Sequence, residues 1–410
     1  MKKNTIEYIK MPMNAPVEMK HVLFVVDYWL GGSHGVRGSV IRILQAVLSL
    51  NAPFHCAVLN LETGISGSGV DESLLLQLPE NTALQTLVSP RYPLLVPMLV
   101  RHLRNRRPDL LVVHTNPANK AMVWLALRTS RLRCPLVFVD HSGIEQSLHA
   151  FRFRSLFLFL ARLAYRGCDH LVGVGEALTL GSVKTTGLDP TRTSAIRSPI
   201  HLEALRTAAR EPVDHPWLDH AELPVIISVS RLDPVHKDLI TLIQAFALLD
   251  AMHPSRLILV GEGPQEGELR SLVTRMGLEA KVWFTGYTPN PHRLVARATL
   301  SVLATLGEGL PNVIVEAMAV GTPVIASDVE YGCRETLDDG RCGVLVPPRN
   351  PQALCQAMVE LLADPARRAV LAQAATRWVE ELAQQDAGAA YVELFTALLS
   401  RRGTVSRNEG

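Results

Sequence analysis

The chain has 410 residues, 48% of them hydrophobic, with 41 Lys+Arg against 39 Asp+Glu, so it is long enough for two cores and too apolar to stay disordered. No run reaches the roughly 18 uncharged apolar residues of a membrane-spanning helix, and the first 20 residues lack the apolar core of a secretory signal. Six scattered cysteines offer neither a C-x-x-C pair nor zinc-finger spacing, which excludes a disulfide framework or structural zinc and predicts a cytosolic protein.

Residues 1–20 read as a tail. From there, short aliphatic and β-branched runs alternate with longer amphipathic stretches, the pattern of parallel strands covered by helices. Strands are predicted at His21–Asp27, His55–Asn60, Leu110–His114, Leu136–Asp140 and His170–Val174. After a charged linker with a short helix over 206–223, a second series follows. Its strands are predicted at Val225–Ser230, Arg256–Val260, Val282–Thr285, Leu300–Ala304, Pro323–Ser327 and Gly343–Val346. Two series predict an α/β protein of two Rossmann-like domains, over 21–205 and 224–383. The helical pattern from about Pro365 to Leu399 weakens around Gln384 to Gly388. A helix over 384–402 is therefore placed to cross back to the first domain, and 403–410 reads as a second tail.

Charge is unevenly spread. Residues 1–210 carry a net +10 and the remainder a net −8. Between Arg101 and Arg166, 12 basic residues face only Asp109, Asp140 and Glu145. One half is built to meet something anionic. The basic region also holds Phe151, Phe153, Phe157 and Phe159 over 148–166. Two readings stay open for it: docking to anionic lipid or a polyprenyl-diphosphate acceptor, or a buried helix whose arginines snorkel to water. No recognised nucleic-acid module interleaves these aromatics, so nucleic acid is not an expected partner.

The densest chemistry lies in Gly307-Glu308-Gly309-Leu310-Pro311-Asn312-Val313-Ile314-Val315-Glu316. The stretch follows a predicted strand and opens a helix that Gly321 closes as a left-handed cap. Backbone N–H groups around Leu310 to Val313 then sit at the positive end of a helix dipole, ready for a phosphate or sugar oxygen. Glu308 and Glu316 bracket that site. Carboxylates repel phosphate but accept well from hydroxyls, and a nucleotide sugar carries both groups. Arg231 and Lys237 follow the first strand of the second series, at the carboxyl edge where ligands of such sheets bind, and can neutralise a diphosphate.

These residues resemble the E-x7-E signature of the family 4 retaining glycosyltransferases, which have the GT-B fold of two facing Rossmann-like domains. The second half is similar to that family nearly end to end, through Val225 to Leu232, Leu259 to Pro264, Phe284 to Gly286 and Gly343 to Pro347. The resemblance implies that Glu308 contacts donor-sugar hydroxyls, that Glu316 holds the ribose, and that Gly309, Leu310, Pro311 and Asn312 read sugar and phosphate. It implies that Arg231 and Lys237 hold the diphosphate of the donor. No D-x-D motif is present to hold a metal, so the expected enzyme is metal-independent and uses no cofactor. In the first domain, Gly32 matches a glycine beside donor phosphates and acceptor, and His141 matches a strand-end histidine near the reacting sugar.

The resemblance thus implies a hexose or N-acetylhexosamine transferase. It would use a nucleoside-diphosphate sugar, most simply a UDP-sugar, and a glycan or lipid-linked acceptor in surface polysaccharide or lipopolysaccharide assembly, at or near the cytoplasmic face of a membrane. A nucleotide-sugar epimerase and a catalytically silent nucleotide-sugar-binding protein remain alternatives on the same fold. Gly261-Glu262-Gly263-Pro264 nearly spells a dinucleotide fingerprint but has Glu266 at the third glycine position. Glu330-Tyr331 and Cys333 depart from the pattern of the N-acetylhexosamine and hexose subgroup.

Overall fold

The structure is a computed structural model that describes residues 5–8, 19–27, 34–63, 78–79, 82–89, 92–147, 154–219 and 222–405. The chain divides into two units, one formed by 1–199 with 386–410 and the other by 200–385.

The first unit is built on strands β1 (Thr5–Tyr8), β2 (Lys20–Val26), β3 (Phe54–Thr63), β4 (Ala83–Ser89), β5 (Leu110–His114), β6 (Leu136–Asp140), β7 (His170–Gly173) and β8 (Thr193–Ala195), in the order β1-β4-β3-β2-β5-β6-β7-β8. All pairs are parallel except β1 with β4. β5 and β6 are buried along their whole length, because helices cover both faces of a parallel sheet and leave no side for alternating polar residues. One face carries the helices Tyr92–Arg106, Pro117–Ser130 and Arg154–Arg166, whose apolar sides join a core with Leu23, Leu59, Phe138 and Tyr165. Each such fully buried side chain contributes about 1.5–3 kcal/mol.

Helix Pro117–Ser130 starts sharply because Asn116 caps it, its side chain accepting from Asn119 N at 3.0 Å, and Pro117 supplies the first helical φ. The last helix, Ala387–Val405, belongs to this unit. Gly388 lets it lie close to the helix His34–Ser49, since a Cβ there would meet Ala46 O at 2.9 Å. Buried Phe395 packs edge-on to Phe24 and Phe54 at 6.3 and 5.8 Å.

Within the stretch read from sequence as a tail, β1 pairs along the edge of β4. β4 itself holds the buried polar residues Gln85 and Thr86. That composition hides it from a search for aliphatic runs.

The second unit has β9 (Val225–Val229), β10 (Arg256–Val260), β11 (Val282–Gly286), β12 (Leu300–Leu303), β13 (Val324–Ser327) and β14 (Val344–Val346) in the order β11-β10-β9-β12-β13-β14, all parallel. The order reverses between β9 and β12, which makes their carboxyl ends the topological switch point. The segment read as a linker holds the end of helix Leu202–Ala209 and all of helix Pro216–Asp219. Arg206 Nε donates to Ala319 O at 3.3 Å and Asn290 Nδ2 to Ala208 O at 2.8 Å. Helices Pro351–Ala363 and Pro365–Ala383 are capped by Asn350 and Asp364, each with proline at the first helical position.

Candidate active site

In the second unit, the loop after β9 and the loop after β12 are locked together at the switch point. Lys237 and Thr305 form an isolated antiparallel bridge, Leu306 N donates to His236 O at 2.7 Å and Asp238 N to Ala304 O at 3.0 Å. Thr305 Oγ1 donates to His236 O and contacts Glu308 Oε1, each at 2.8 Å. On this frame the Lys237 ammonium pairs with the Glu308 carboxylate, and both side chains are largely buried. Arg231, Lys237 and Glu308, singled out from sequence, therefore share one loop cluster.

Asp233, which sequence reasoning passed over, organises the first loop. Its carboxylate pairs with the Arg231 guanidinium, accepts from Val235 N at 2.9 Å and meets His236 Nδ1 at 3.0 Å. Burial pushes its pKa up, but those donors outweigh burial and hold it at about 2. Its place two residues after Arg231 was the available signal. The Arg231 side chain stays 43% exposed, so its cation is aimed and still accessible to a ligand.

The helix Asn312–Ala319 follows, with Pro311 as its N-cap residue. Pro311 has φ −77° and ψ 87°. Leu310 N and Val313 N make no backbone hydrogen bond among the described residues, which leaves donors at the positive helix end. Gly321 has φ +80° and its N–H reaches Met318 O at 3.1 Å, closing the helix. Glu316 is half-buried on the same short helix and has no side-chain partner among the described residues. Gly332, at φ +83°, lets the turn after β13 press on this loop, because a Cβ there would lie 2.5 Å from Gly309 O.

The near-fingerprint glycines serve the same frame. A Cβ on Gly261 would meet Ser230 O at 2.0 Å and one on Gly263 would meet Leu232 O at 2.3 Å. Leu232 N donates to Glu262 O at 2.9 Å and Gln265 N to Leu232 O at 3.1 Å. These glycines therefore clasp the Arg231 loop by close backbone approach.

In the first unit, polar residues end three adjacent strands: Asp27 follows β2, His114 ends β5, and Asp140 ends β6 just before His141. Asp140 pairs with Lys120 and accepts from Tyr165 OH at 2.6 Å and Ser182 Oγ at 2.5 Å. Lys120 also donates to Val139 O at 2.8 Å. Both charges are almost wholly buried, at 1% and 2% exposure. Asp27 Oδ2 accepts from Asn116 N at 2.9 Å, Asn116 Nδ2 at 2.6 Å and Asn119 Nδ2 at 2.8 Å, while its buried Oδ1 has no partner. Burial outweighs these donors and raises its pKa to about 6.

His141 Nε2 lies 2.9 Å from His114 Nδ1. Burial and nearby Lys120 lower the His141 pKa to about 3, so the ring is neutral at pH 7. The sequence reading found His141 and missed Asp27, His114, Lys120 and Tyr165. A polar residue closing an all-apolar strand was the signal for the first two. Gly32 lies outside the described residues, as do Phe151 and Phe153.

Comparison with known proteins agrees with this architecture. Residues 66–204 match the family model described as Glycosyltransferase Family 4, and residues 223–364 match that described as Glycosyl transferases group 1. The chain is 28% identical over 316 residues to the lipopolysaccharide core biosynthesis glycosyltransferase LpsE of Rhizobium meliloti, covering 75% of this chain and 81% of that protein. It is 29% identical over 206 residues to an N-acetylgalactosaminyltransferase of Campylobacter jejuni that acts on a diphospho-undecaprenol-linked sugar. That match covers 50% of this chain and 54% of the relative, and another curated relative is matched over as little as 19% of its length. The crystal structure of Anabaena Alr3699/HepE in complex with UDP-glucose superposes with a TM-score of 0.74 at 23% identity, covering 93% of this chain and 99% of that one. With two family models meeting the two Rossmann-like units and the fold shared along nearly the whole length, the chain belongs to the family 4, group 1 glycosyltransferases of GT-B fold.

Proposed function

We propose that this protein transfers a hexose or N-acetylhexosamine, with retention of configuration, from a UDP-sugar to a glycan or lipid-linked acceptor in surface polysaccharide assembly. The observation that carries the reading is the convergence, at one switch point, of Lys237, Glu308 and the Arg231–Asp233–His236 loop beside the open end of helix Asn312–Ala319. Arg231 and Lys237 hold the diphosphate, and Leu310 and Val313 N–H groups complete its cradle. Glu308 turns from Lys237 toward donor-sugar hydroxyls and Glu316 accepts from the ribose. The sugar C1–oxygen bond to the β-phosphate breaks as the acceptor oxygen bonds to C1 on the same face. The acceptor proton passes to the departing phosphate oxygen, whose charge the two cations stabilise.

A UDP-sugar at 100 times its Kd is expected to stabilise the folded chain by about 2.7 kcal/mol, seen as a rise in Tm. Glu316→Ala and Arg231→Ala are each expected to abolish acceptor-dependent nucleotide release while circular dichroism stays native. Full turnover in either variant overturns the roles given to them. Nucleotide release that needs no acceptor, or tight UDP binding without turnover on any acceptor, would support one of the alternatives.

The reading extends to a membrane-bound acceptor. Along helix Arg154–Arg166, Leu156, Phe159 and Leu163 form an exposed apolar stripe beside Arg154, Arg162 and Arg166. Arg162 and Arg166 are tied to Thr185 O and Thr186 O, both at 2.9 Å. The neighbouring helices and their ends expose Arg101, Arg104, Arg128 and Arg131. This combination suits the interface of an anionic bilayer. No described helix is long and apolar enough to cross a membrane. Leu156→Glu with Phe159→Glu is expected to reduce sedimentation with phosphatidylglycerol vesicles at least fivefold, and equal sedimentation with neutral vesicles would rule the docking face out.

A further inference from the structure

We propose that His114 is a positioning residue that fixes the proton of His141 on Nδ1, so that His141 presents a neutral hydrogen-bond donor to a sugar oxygen. The functional half of this inference rests on the transfer reading above; the proton assignment does not.

His114 is fully buried at the end of β5, and its ring stacks on Phe24 with centroids 5.8 Å apart. A neutral imidazole carries one N–H and one lone pair. His114 Nδ1 faces His141 Nε2, whereas His114 Nε2 is buried with no partner. If the His114 proton sat on Nε2, a buried N–H would be orphaned. With the proton on Nδ1, the orphan is only a lone pair, and unpaired buried N–H groups are the rarer of the two. His114 Nδ1–H therefore donates to His141 Nε2, and the single proton of the neutral His141 ring must lie on its own Nδ1. That nitrogen has no partner among the described residues, and His141 is only half-buried.

The surroundings keep both rings neutral. Burial is the main cause; Lys120, from helix Pro117–Ser130, further disfavours a second proton on either ring, and Arg42, from helix His34–Ser49, disfavours one on His141. Asp140, on β6 itself, favours the imidazolium, but its carboxylate already accepts from Lys120, Tyr165 and Ser182. These three donors to Asp140 also fix the backbone from which His141 projects. A ring held this way orients an oxygen lone pair and does not remove a proton through Nδ1.

Long-range ¹H–¹⁵N spectra of the full chain labelled at histidine test the assignment, with His141→Gln and His114→Phe identifying the resonances. At pH 7.5 wild type is expected to show pyrrole-type Nδ1 and pyridine-type Nε2 in His141. His114→Phe keeps the ring but cannot donate, and should release a substantial Nε2–H population in His141 and lower kcat about tenfold with the UDP thermal shift unchanged. His114→Asn, whose amide nitrogen can stand in for Nδ1–H, should restore the tautomer and most of kcat. An Nε2–H tautomer in wild type overturns the proposal whatever the activity, and so do equal kcat values for the Phe and Asn variants. If His114→Phe does not fold, the wild-type spectrum and the Asn variant decide alone. The expected tautomer with full activity in His141→Gln instead overturns the sugar-site reading of His141 and leaves the proton assignment standing.

Discussion

Lys237→Met is expected to lower kcat/KM for sugar transfer about a thousandfold, the magnitude seen when a preorganised group that stabilises developing charge is removed. Lys237 comes from the loop after β9 and meets Glu308 from the loop after β12. Methionine keeps most of the unbranched side chain and removes the cation. Glu308 would then keep Thr305 Oγ1 as a partner and lose its counter-ion in a setting where it is 12% exposed. A loss of about 2 kcal/mol in urea unfolding is expected, below the range for fully buried pairs because water still reaches the site. Adding Glu308→Gln should recover most of that stability and none of the transfer. Turnover within tenfold of wild type in Lys237→Met would remove Lys237 from the phosphate role. Recovery of activity together with stability in the double variant would show that the pair is only structural.

The second large effect concerns the first unit. Lys120→Met leaves Asp140 in the interior with the Tyr165 and Ser182 hydroxyls as its remaining donors. Breaking a buried pair by removing one partner costs about 3–5 kcal/mol, because the remaining charge has neither water nor a counter-ion. For a unit of this size that is roughly a 10 °C fall in Tm. Combining Lys120→Met with Asp140→Asn should cost less than the sum of the single changes, since the amide carries no charge to strand. Because Asp140 precedes His141 directly, transfer should fall in Lys120→Met even at temperatures where the protein stays folded. An unfolding free energy within about 1 kcal/mol of wild type, or strict additivity in the cycle, would show that the two charges are not energetically coupled.

Much of the fold was legible because its signals are local. The runs Leu110–His114, Leu136–Asp140 and Arg256–Val260 are strands over the same residues in the structure, since a buried parallel strand needs an unbroken apolar run. β8 has only three residues, and Gln85 and Thr86 give β4 the look of a loop. Their strand geometry comes from the neighbours they pair with.

The candidate site divides in the same way. The glycine, proline and glutamate pattern from Gly307 to Glu316 is contiguous, so its loop and helix could be read directly. Asp233 was hidden because its importance lies in which cation it aims, and Gly261 and Gly263 looked like ligand glycines because their spacing resembles a fingerprint. Only the position of β10 beside β9 reveals that their missing side chains make room for the carbonyls of Ser230 and Leu232.

The amino-acid order by itself determined the α/β class, the two strand series, the E-x7-E segment and the cations that follow the first strand of the second series. Tertiary structure decided which of these groups touch: Lys237 with Glu308 across 71 residues, His114 with His141 across 27, and Lys120 with Asp140 across 20. The physical reason is range. Helix and strand periodicity follow from neighbours a few residues apart, whereas a charge or an imidazole acquires its partner only when strand order brings separate carboxyl ends together in a water-poor interior.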